Sequence, residues 1–181
     1  AGVPLLEIVS EPDLRNGEEA YAYLSEIRQL VRYLDISDGN MEEGSLRCDV
    51  NISVRPVGRA QFGTKVEVKN LNSFRHVQKA IDFEFQRQVA AVEAGETIYQ
   101  ETRTFDSGKG ITTVLRIKED ANDYRYFTEP DLAPVRLTPE WIALQRASLP
   151  ELPRARQARY QRELRLSEYD AQLLTDDKAT A

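Results

Sequence analysis

The stretch that decides the fold is "SLRCDVNISVRP", residues 45–56, together with "TKVEVKN", residues 64–70. In the first, Leu46, Cys48, Val50, Ile52 and Val54 alternate strictly with Ser45, Arg47, Asp49, Asn51, Ser53 and Arg55. A period of two is what a strand needs when one face is buried and the other is wet. In the second, Val66 and Val68 alternate with Lys65, Glu67 and Lys69. The intervening "PVGRAQFG" is turn-rich, so the two strands are predicted to pair as an antiparallel hairpin. Its polar face then gathers Arg47, Asp49, Asn51, Lys65, Glu67 and Lys69, a mixed acid–base surface that is either a cross-strand network or a site. Cys48 falls on the apolar side and reads as a small core residue.

Working outward, "PLLEIV" (4–9) reads as a buried strand with Glu7 inside it, and "NGEEAYAYLSEIRQLVRYL" as a helix capped by Asn16 with Glu19 three residues on. "NSFRHVQKAIDFEFQRQVAAVEAG" gives a second helix, with Phe74, Val77, Ile81, Phe85, Val89 and Val92 on its apolar side and Gly95 as its stop. "TIYQETRTF" and "ITTVLRIK" flank "DSGKG" as a second hairpin. "EDANDYRYFTEPDLAPV" reads as an irregular loop. Thr138 and Pro139 open a further helix, and beyond the linker "PELP" the sequence becomes Arg-rich and helical. The expected fold is α+β, an antiparallel sheet layered with helices over residues 1–149, followed by the start of a helical domain over 150–181.

The composition sets the class. The 181 residues are 41% hydrophobic and 30% charged, ordinary for a globular chain, and no apolar run approaches membrane-spanning length. A single cysteine excludes an internal disulfide and a thiolate zinc site and suggests a reducing compartment, hence the cytoplasm. The net charge is −6. Residues 151–181 carry equal numbers of basic and acidic side chains, so the whole excess lies in 1–150. Such a domain suits cations better than nucleic-acid phosphates. The first residues lie inside a strand-like run and the last carry no terminating signal, so the chain reads as a piece of a longer polypeptide.

The chemistry available is that of carboxylates. There is no phosphate-binding glycine loop and no Cys–His pair, and the one histidine, His76, falls within a helix. Glu7 is costly in a buried strand unless paired or metal-bound, and unremarkable in an edge strand that faces water. Should Glu7, Asp49 and Glu67 converge, their all-oxygen set suits Mg²⁺, with Lys and Arg on the same face holding phosphate oxygens. "NDYRYF" (122–127) could stack a base or simply anchor its loop, and the arginines at 154, 156, 159, 162 and 165 could meet RNA or lie on a solvated face.

"PLLEIVSEPDLRNGEEAYAYL", "SDGNMEEGSLRCDVNISVRP", "FGTKVEVKNLNSF" and "DYRYFTEPDL" together closely resemble the GatB/GatE family, the B subunits of aspartyl/glutamyl-tRNA amidotransferases. The likeness runs in order over essentially the whole chain, with Thr128 and Val50 as small departures from the usual Pro and Ala. It implies a cradle-shaped α+β domain related to glutamine synthetase and guanido kinases. It implies a subunit that uses ATP and Mg²⁺ to phosphorylate the side-chain carboxylate of Glu or Asp misacylated on tRNA(Gln) or tRNA(Asn). Ammonia from a partner glutaminase (amidase) subunit then displaces the phosphate, in a complex that also holds a small third subunit.

By the same resemblance, Glu7, Asp49 and Glu67 are metal ligands, and Asp49, Glu67, Arg47 and Lys69 the catalytic set. Lys65, Asn70, Asn72 and Arg75 are nucleotide or substrate contacts. The family's N-terminal cradle segment and its tRNA-binding tail domain have no counterpart in this chain, which by itself is expected to be inactive. Two other readings compete: a non-catalytic tRNA-binding or scaffold module of the same complex, and a Mg²⁺-dependent phosphotransferase on a small carboxylate.

Overall fold

The computed structural model describes residues 3–117, 131 and 133–181. The loop motif "NDYRYF" and Thr128 lie outside these described residues. The chain divides into two compact units, residues 1–24 with 48–116, and residues 25–47 with 117–181.

The first unit holds the sheet. Its strands are β1 (Val50–Ile52), β2 (Val66–Lys69), β3 (Glu101–Asp106) and β4 (Ile111–Ile117), in the order β1-β2-β3-β4. The predicted first hairpin is present, with Val50 opposite Val68, Asn51 opposite Glu67 and Ile52 opposite Val66, antiparallel. Gly63 closes its long connection. A Cβ there would lie 2.1 Å from the Val54 carbonyl oxygen, so only glycine lets the returning chain pass.

The sheet is mixed rather than wholly antiparallel, because β2 pairs with β3 in parallel, Glu67 opposite Thr102 and Lys69 opposite Thr104. The reason is the intervening helix α2 (Phe74–Glu93). A strand that leaves the sheet, crosses over through a helix and returns beside its predecessor runs parallel to it. The second hairpin forms around an Asx turn, in which Asp106 Oδ1 accepts from the backbone N–H groups of Gly108 and Lys109 at 3.0 Å each.

α2 begins where the sequence places it. Ser73 accepts from the His76 N–H at 3.1 Å, and Gly95 ends the helix with φ +75°. Its buried face, however, is rotated from the expected apolar stripe. Val77, Ala80, Glu84 and Gln88 are buried, whereas Phe85 and Val92 are 45% and 48% exposed. The core of this unit is Val66, Val68, Leu71, Val77, Ala80 and Phe105, with Ala20 and Leu24 from the first turns of α1 (Gly17–Tyr33). Gly17 lies so close to α2 that a Cβ there would come within 2.8 Å of the Gln78 carbonyl oxygen.

The start of α1 carries the expected cap. Asn16 Oδ1 accepts from the Glu19 N–H at 2.8 Å, and Glu19 reaches back to the Arg15 N–H at 2.6 Å. The expected first strand does not form. Residues 4–9 lie outside the four-stranded sheet and are exposed, Leu5 by 87% and Val9 by 81%. An apolar run is a strand only where a neighbouring strand completes its ladder, and sequence alone does not supply that neighbour.

The second unit takes the rest of α1 with helices α3 (Pro139–Ser148), α4 (Pro153–Leu164) and α5 (Glu168–Leu174). Thr138 caps α3 through the Trp141 N–H, as its sequence predicts. Tyr33, fully buried, donates its hydroxyl to the Thr175 carbonyl at 2.6 Å and fixes the end of α1 to the end of α5. The arginines of α4 and its flank pair with carboxylates: Arg154 with Glu26, Arg156 and Arg159 with Glu151, and Arg162 with Glu163. The pairing of Glu151 holds its carboxyl below the ordinary range, Arg159 contributing most. No helix among the described residues is long and apolar enough to cross a membrane.

Candidate functional site

The hairpin register brings the predicted polar face together. Strand alternation sends Val50, Ile52, Val66 and Val68 towards α2, and Asn51, Glu67 and Lys69 to the other side. Lys69 Nζ donates to Asp49 Oδ2 at 2.6 Å and lies 3.2 Å from Glu67 Oε1, so one ammonium bridges the carboxylate of Glu67 on β2 and that of Asp49, the residue before β1. The hydrogen bond to Asp49, with that to Glu67, raises the Lys69 pKa above its ordinary value, against the opposing effect of partial burial. The side chains of Asp49 and Lys69 are 48% and 35% exposed and that of Glu67 only 17%, so the face opens to solvent and deepens at Glu67. Asp49, Glu67 and Lys69 thus form one constellation.

The remaining predicted residues fall around or away from it. Glu7 is exposed on the irregular segment before α1 rather than in a buried strand. Among the described residues, no three acidic, His or Cys side chains gather closely enough to hold a metal ion, so the expected Glu7–Asp49–Glu67 cluster does not stand ready-made. Lys65 is exposed just before β2, and Arg75 on the first turn of α2. Asn70 takes the left-handed conformation, φ +64°, that turns the chain out of β2, and its amide donates to the Phe105 carbonyl at 3.5 Å. Asn72 is exposed beside it. Arg47 is exposed in the second unit, its guanidinium beside Gly44. The Cys48 thiol is pushed up to about 11 by burial and by the Asp49 charge, as in an inert thiol, although the residue is only half-buried and lies outside the core. His76 leans its ring on Phe105, centroids 5.8 Å apart.

Sequence reasoning missed two groups. Thr102, fully buried on β3, donates its hydroxyl to Glu67 Oε2 at 2.9 Å. Behind the sheet lies a buried polar network centred on Glu84, which accepts from Arg87 Nε at 3.0 Å, Gln88 Nε2 at 3.0 Å and the Thr112 hydroxyl at 2.8 Å. Arg103 donates to the Thr112 hydroxyl and carbonyl, and pairs with Glu101. Burial pushes the Glu84 carboxyl up, but the hydrogen bonds from Arg87, Gln88 and Thr112 outweigh it and the net shift is downward. The signal that could have located this network was "QETR" with its paired charges inside a strand, where an unpaired charge is too costly to bury.

A mixed acid–base pair of carboxylates flanking a lysine on an open sheet face can hold a cation and, beside it, an anionic oxygen group. Comparison with known proteins bears on which. The model of the GatB/GatE catalytic domain matches residues 1–143. The B subunits of aspartyl/glutamyl-tRNA(Asn/Gln) amidotransferases from several bacteria align over nearly the entire chain. That of Nostoc punctiforme is 60% identical over 181 residues, all of this chain and 37% of the relative. That of Thermosynechococcus vestitus is 60% identical over 181 residues, covering 36% of its own length. That of Synechocystis sp. is 61% identical over 180 residues, 99% of this chain and 36% of the relative. The chain therefore spans little more than a third of the length of the curated relatives it matches.

Proposed function

Since the chain belongs to the GatB/GatE catalytic-domain family, we propose that it is the sheet-bearing portion of a tRNA-dependent amidotransferase subunit, and that the Asp49–Lys69–Glu67 face is where ATP activates the substrate carboxylate. The observation that carries this reading is one lysine ammonium shared by the carboxylates of Glu67 on β2 and of Asp49, at the start of β1's alternation, on a solvent-open face. Mg²⁺ takes one or two protein carboxylates and completes its shell with water and nucleotide phosphates. Asp49 and Glu67 fit that demand as a pair, without Glu7. When bound there, the ion would offset the negative charge of the transferring phosphoryl group.

The chain's own residues supply the rest. Asp49 and Glu67 would hold the ion. Lys69, held protonated between them, is placed to meet a phosphate oxygen, and Lys65 is a further phosphate candidate. Asn70, Asn72 and Arg75 lie at the exit of β2, where a nucleotide or the substrate end could be met. In the proposed reaction a carboxylate oxygen of Glu-tRNA(Gln) or Asp-tRNA(Asn) attacks the γ-phosphorus of ATP, and ADP leaves. Ammonia then attacks the resulting acyl carbon, and inorganic phosphate leaves with the amide formed. Ammonia would come from a glutaminase (amidase) subunit, with a small third subunit completing the complex in the cytoplasm.

The competing reading, a tRNA-binding or scaffold module, draws no support from α4, where the arginines at 154, 156, 159 and 162 are paired with carboxylates. The test is amidation of misacylated tRNA by the full-length assembled enzyme carrying Asp49→Ala or Glu67→Ala. Each is expected to lose activity on the order of a hundredfold or more with the complex intact. Near wild-type amidation by a folded Asp49→Ala enzyme would sink the catalytic assignment.

A further inference from the structure

We infer that Thr102 is a positioning residue for Glu67, an inference that rests on the reading of this face as a cation and phosphate site. Glu67 and Thr102 are register partners on the parallel β2–β3 pair, so their side chains rise side by side from the same face. The Thr102 hydroxyl donates to Glu67 Oε2 at 2.9 Å, while Oε1 faces the Lys69 ammonium at 3.2 Å. The two oxygens of one carboxylate are thus distinguished. One is tied to a buried hydroxyl, the other faces the cation shared with Asp49.

The tie is rigid because β3 is anchored from behind. Glu101 and Arg103 flank Thr102 and, by alternation, leave the opposite face of the strand. There Arg103 donates to the Thr112 hydroxyl at 2.8 Å and pairs with Glu101, and the Thr112 hydroxyl in turn donates to Glu84 on α2. All four of these side chains are buried. The charged network behind the strand holds β3 on α2, and the strand presents Thr102 forward to Glu67.

Packing alone does not call for the hydroxyl. Valine has the shape and the strand propensity of threonine, and a fully buried hydroxyl is costly without a partner. The partner is the carboxylate whose other oxygen faces the Lys69 ammonium and which, on the proposed function, would hold the metal ion. Carboxylates that hold metals are commonly fixed in this way, and loss of such an outer partner weakens the site by about ten- to a hundredfold. Glutamate, with its long flexible side chain, has most to gain from such a restraint.

The experiment uses the full-length subunit in its complex and Mn²⁺ as the probe. Binding is read by electron paramagnetic resonance with a non-hydrolysable ATP analogue, so no turnover is involved. Thr102→Val is expected to weaken Mn²⁺ binding about tenfold or more, and Thr102→Ser, which restores the hydroxyl, to recover near wild-type binding. Melting temperatures without metal should show coupling, with Thr102→Val costing far less on a Glu67→Ala background, where no side-chain acceptor remains, than on the wild type. Should Thr102→Val fail to assemble, Thr102→Ala carries the same comparison.

The outcomes separate the two claims. Wild-type Mn²⁺ binding by Thr102→Val, with Glu67→Gln defective, overturns the role of Thr102 and leaves the site standing. Strictly additive melting shifts overturn it likewise. Wild-type binding by both Asp49→Asn and Glu67→Gln removes the cation site itself, and the inference falls with it.

Discussion

At Lys69 the proposed chemistry and the stability of the fold make separable demands. Its ammonium bridges Asp49 and Glu67, but in the closer pair Asp49 and Lys69 are 48% and 35% exposed and therefore screened by water. Its worth to folding is less than about 1 kcal/mol. The raised pKa of Lys69 means that this stabilisation is fully present below the ordinary value of 10.5 and is lost as pH rises through the raised one. At neutral pH, then, Lys69→Met should lower the melting temperature by only a few degrees. ATP-dependent amidation by the assembled enzyme should fall far more steeply. A large loss of stability with activity retained would reverse this view of the residue.

At the scale of elements, α2 is where the structure departs most from periodicity. Hydropathy favours a stripe through Phe74, Val77, Ile81, Phe85, Val89 and Val92, and Val77 is buried as expected, yet the helix also turns Glu84 and Gln88 inward because Arg87, Arg103 and Thr112 meet Glu84 there. Breaking such a buried network leaves uncompensated charge, so Glu84→Gln should cost about 3 kcal/mol or more. Phe85→Ser, on the exposed side, should cost about 0.5 kcal/mol or less. Chemical denaturation of the two variants distinguishes the observed face from the expected one.

The Glu84 carboxyl, held below its ordinary 4.5, contributes stability present above that value and lost as pH falls through the lowered one. The acid limb of a melting-temperature profile should therefore be shallower in Glu84→Gln than in wild type. Parallel limbs would indicate that this network is not what titrates.

Across the whole molecule, what was legible in the sequence is what neighbours in the chain decide. The Asn16–Glu19 cap, the Gly95 stop and the β1–β2 alternation all follow from local rules. The pairing of Asp49, Glu67 and Lys69 followed too, because a hairpin carries register with it. What was not legible depends on partners distant in sequence. The parallel β2–β3 pair, the inward turn of Glu84, the donation from Thr102 to Glu67 and the exposure of residues 4–9 are all of this kind. Glu7 illustrates that gap: its sequence context allows both a buried strand and a water-facing position, and the apolar neighbours that favour burial are themselves exposed.

The role proposed for the Asp49–Lys69–Glu67 face is to activate a carboxylate with ATP. Its most direct measurement is ADP formation by the full-length assembled enzyme with misacylated tRNA and no glutamine, so that phosphoryl transfer is read apart from amide formation. The wild-type enzyme is expected to form ADP in response to the charged tRNA. The Asp49→Asn enzyme should fail to do so, while its glutaminase partner still hydrolyses glutamine when glutamine is supplied. ADP formation by Asp49→Asn at the wild-type rate would contradict the claim.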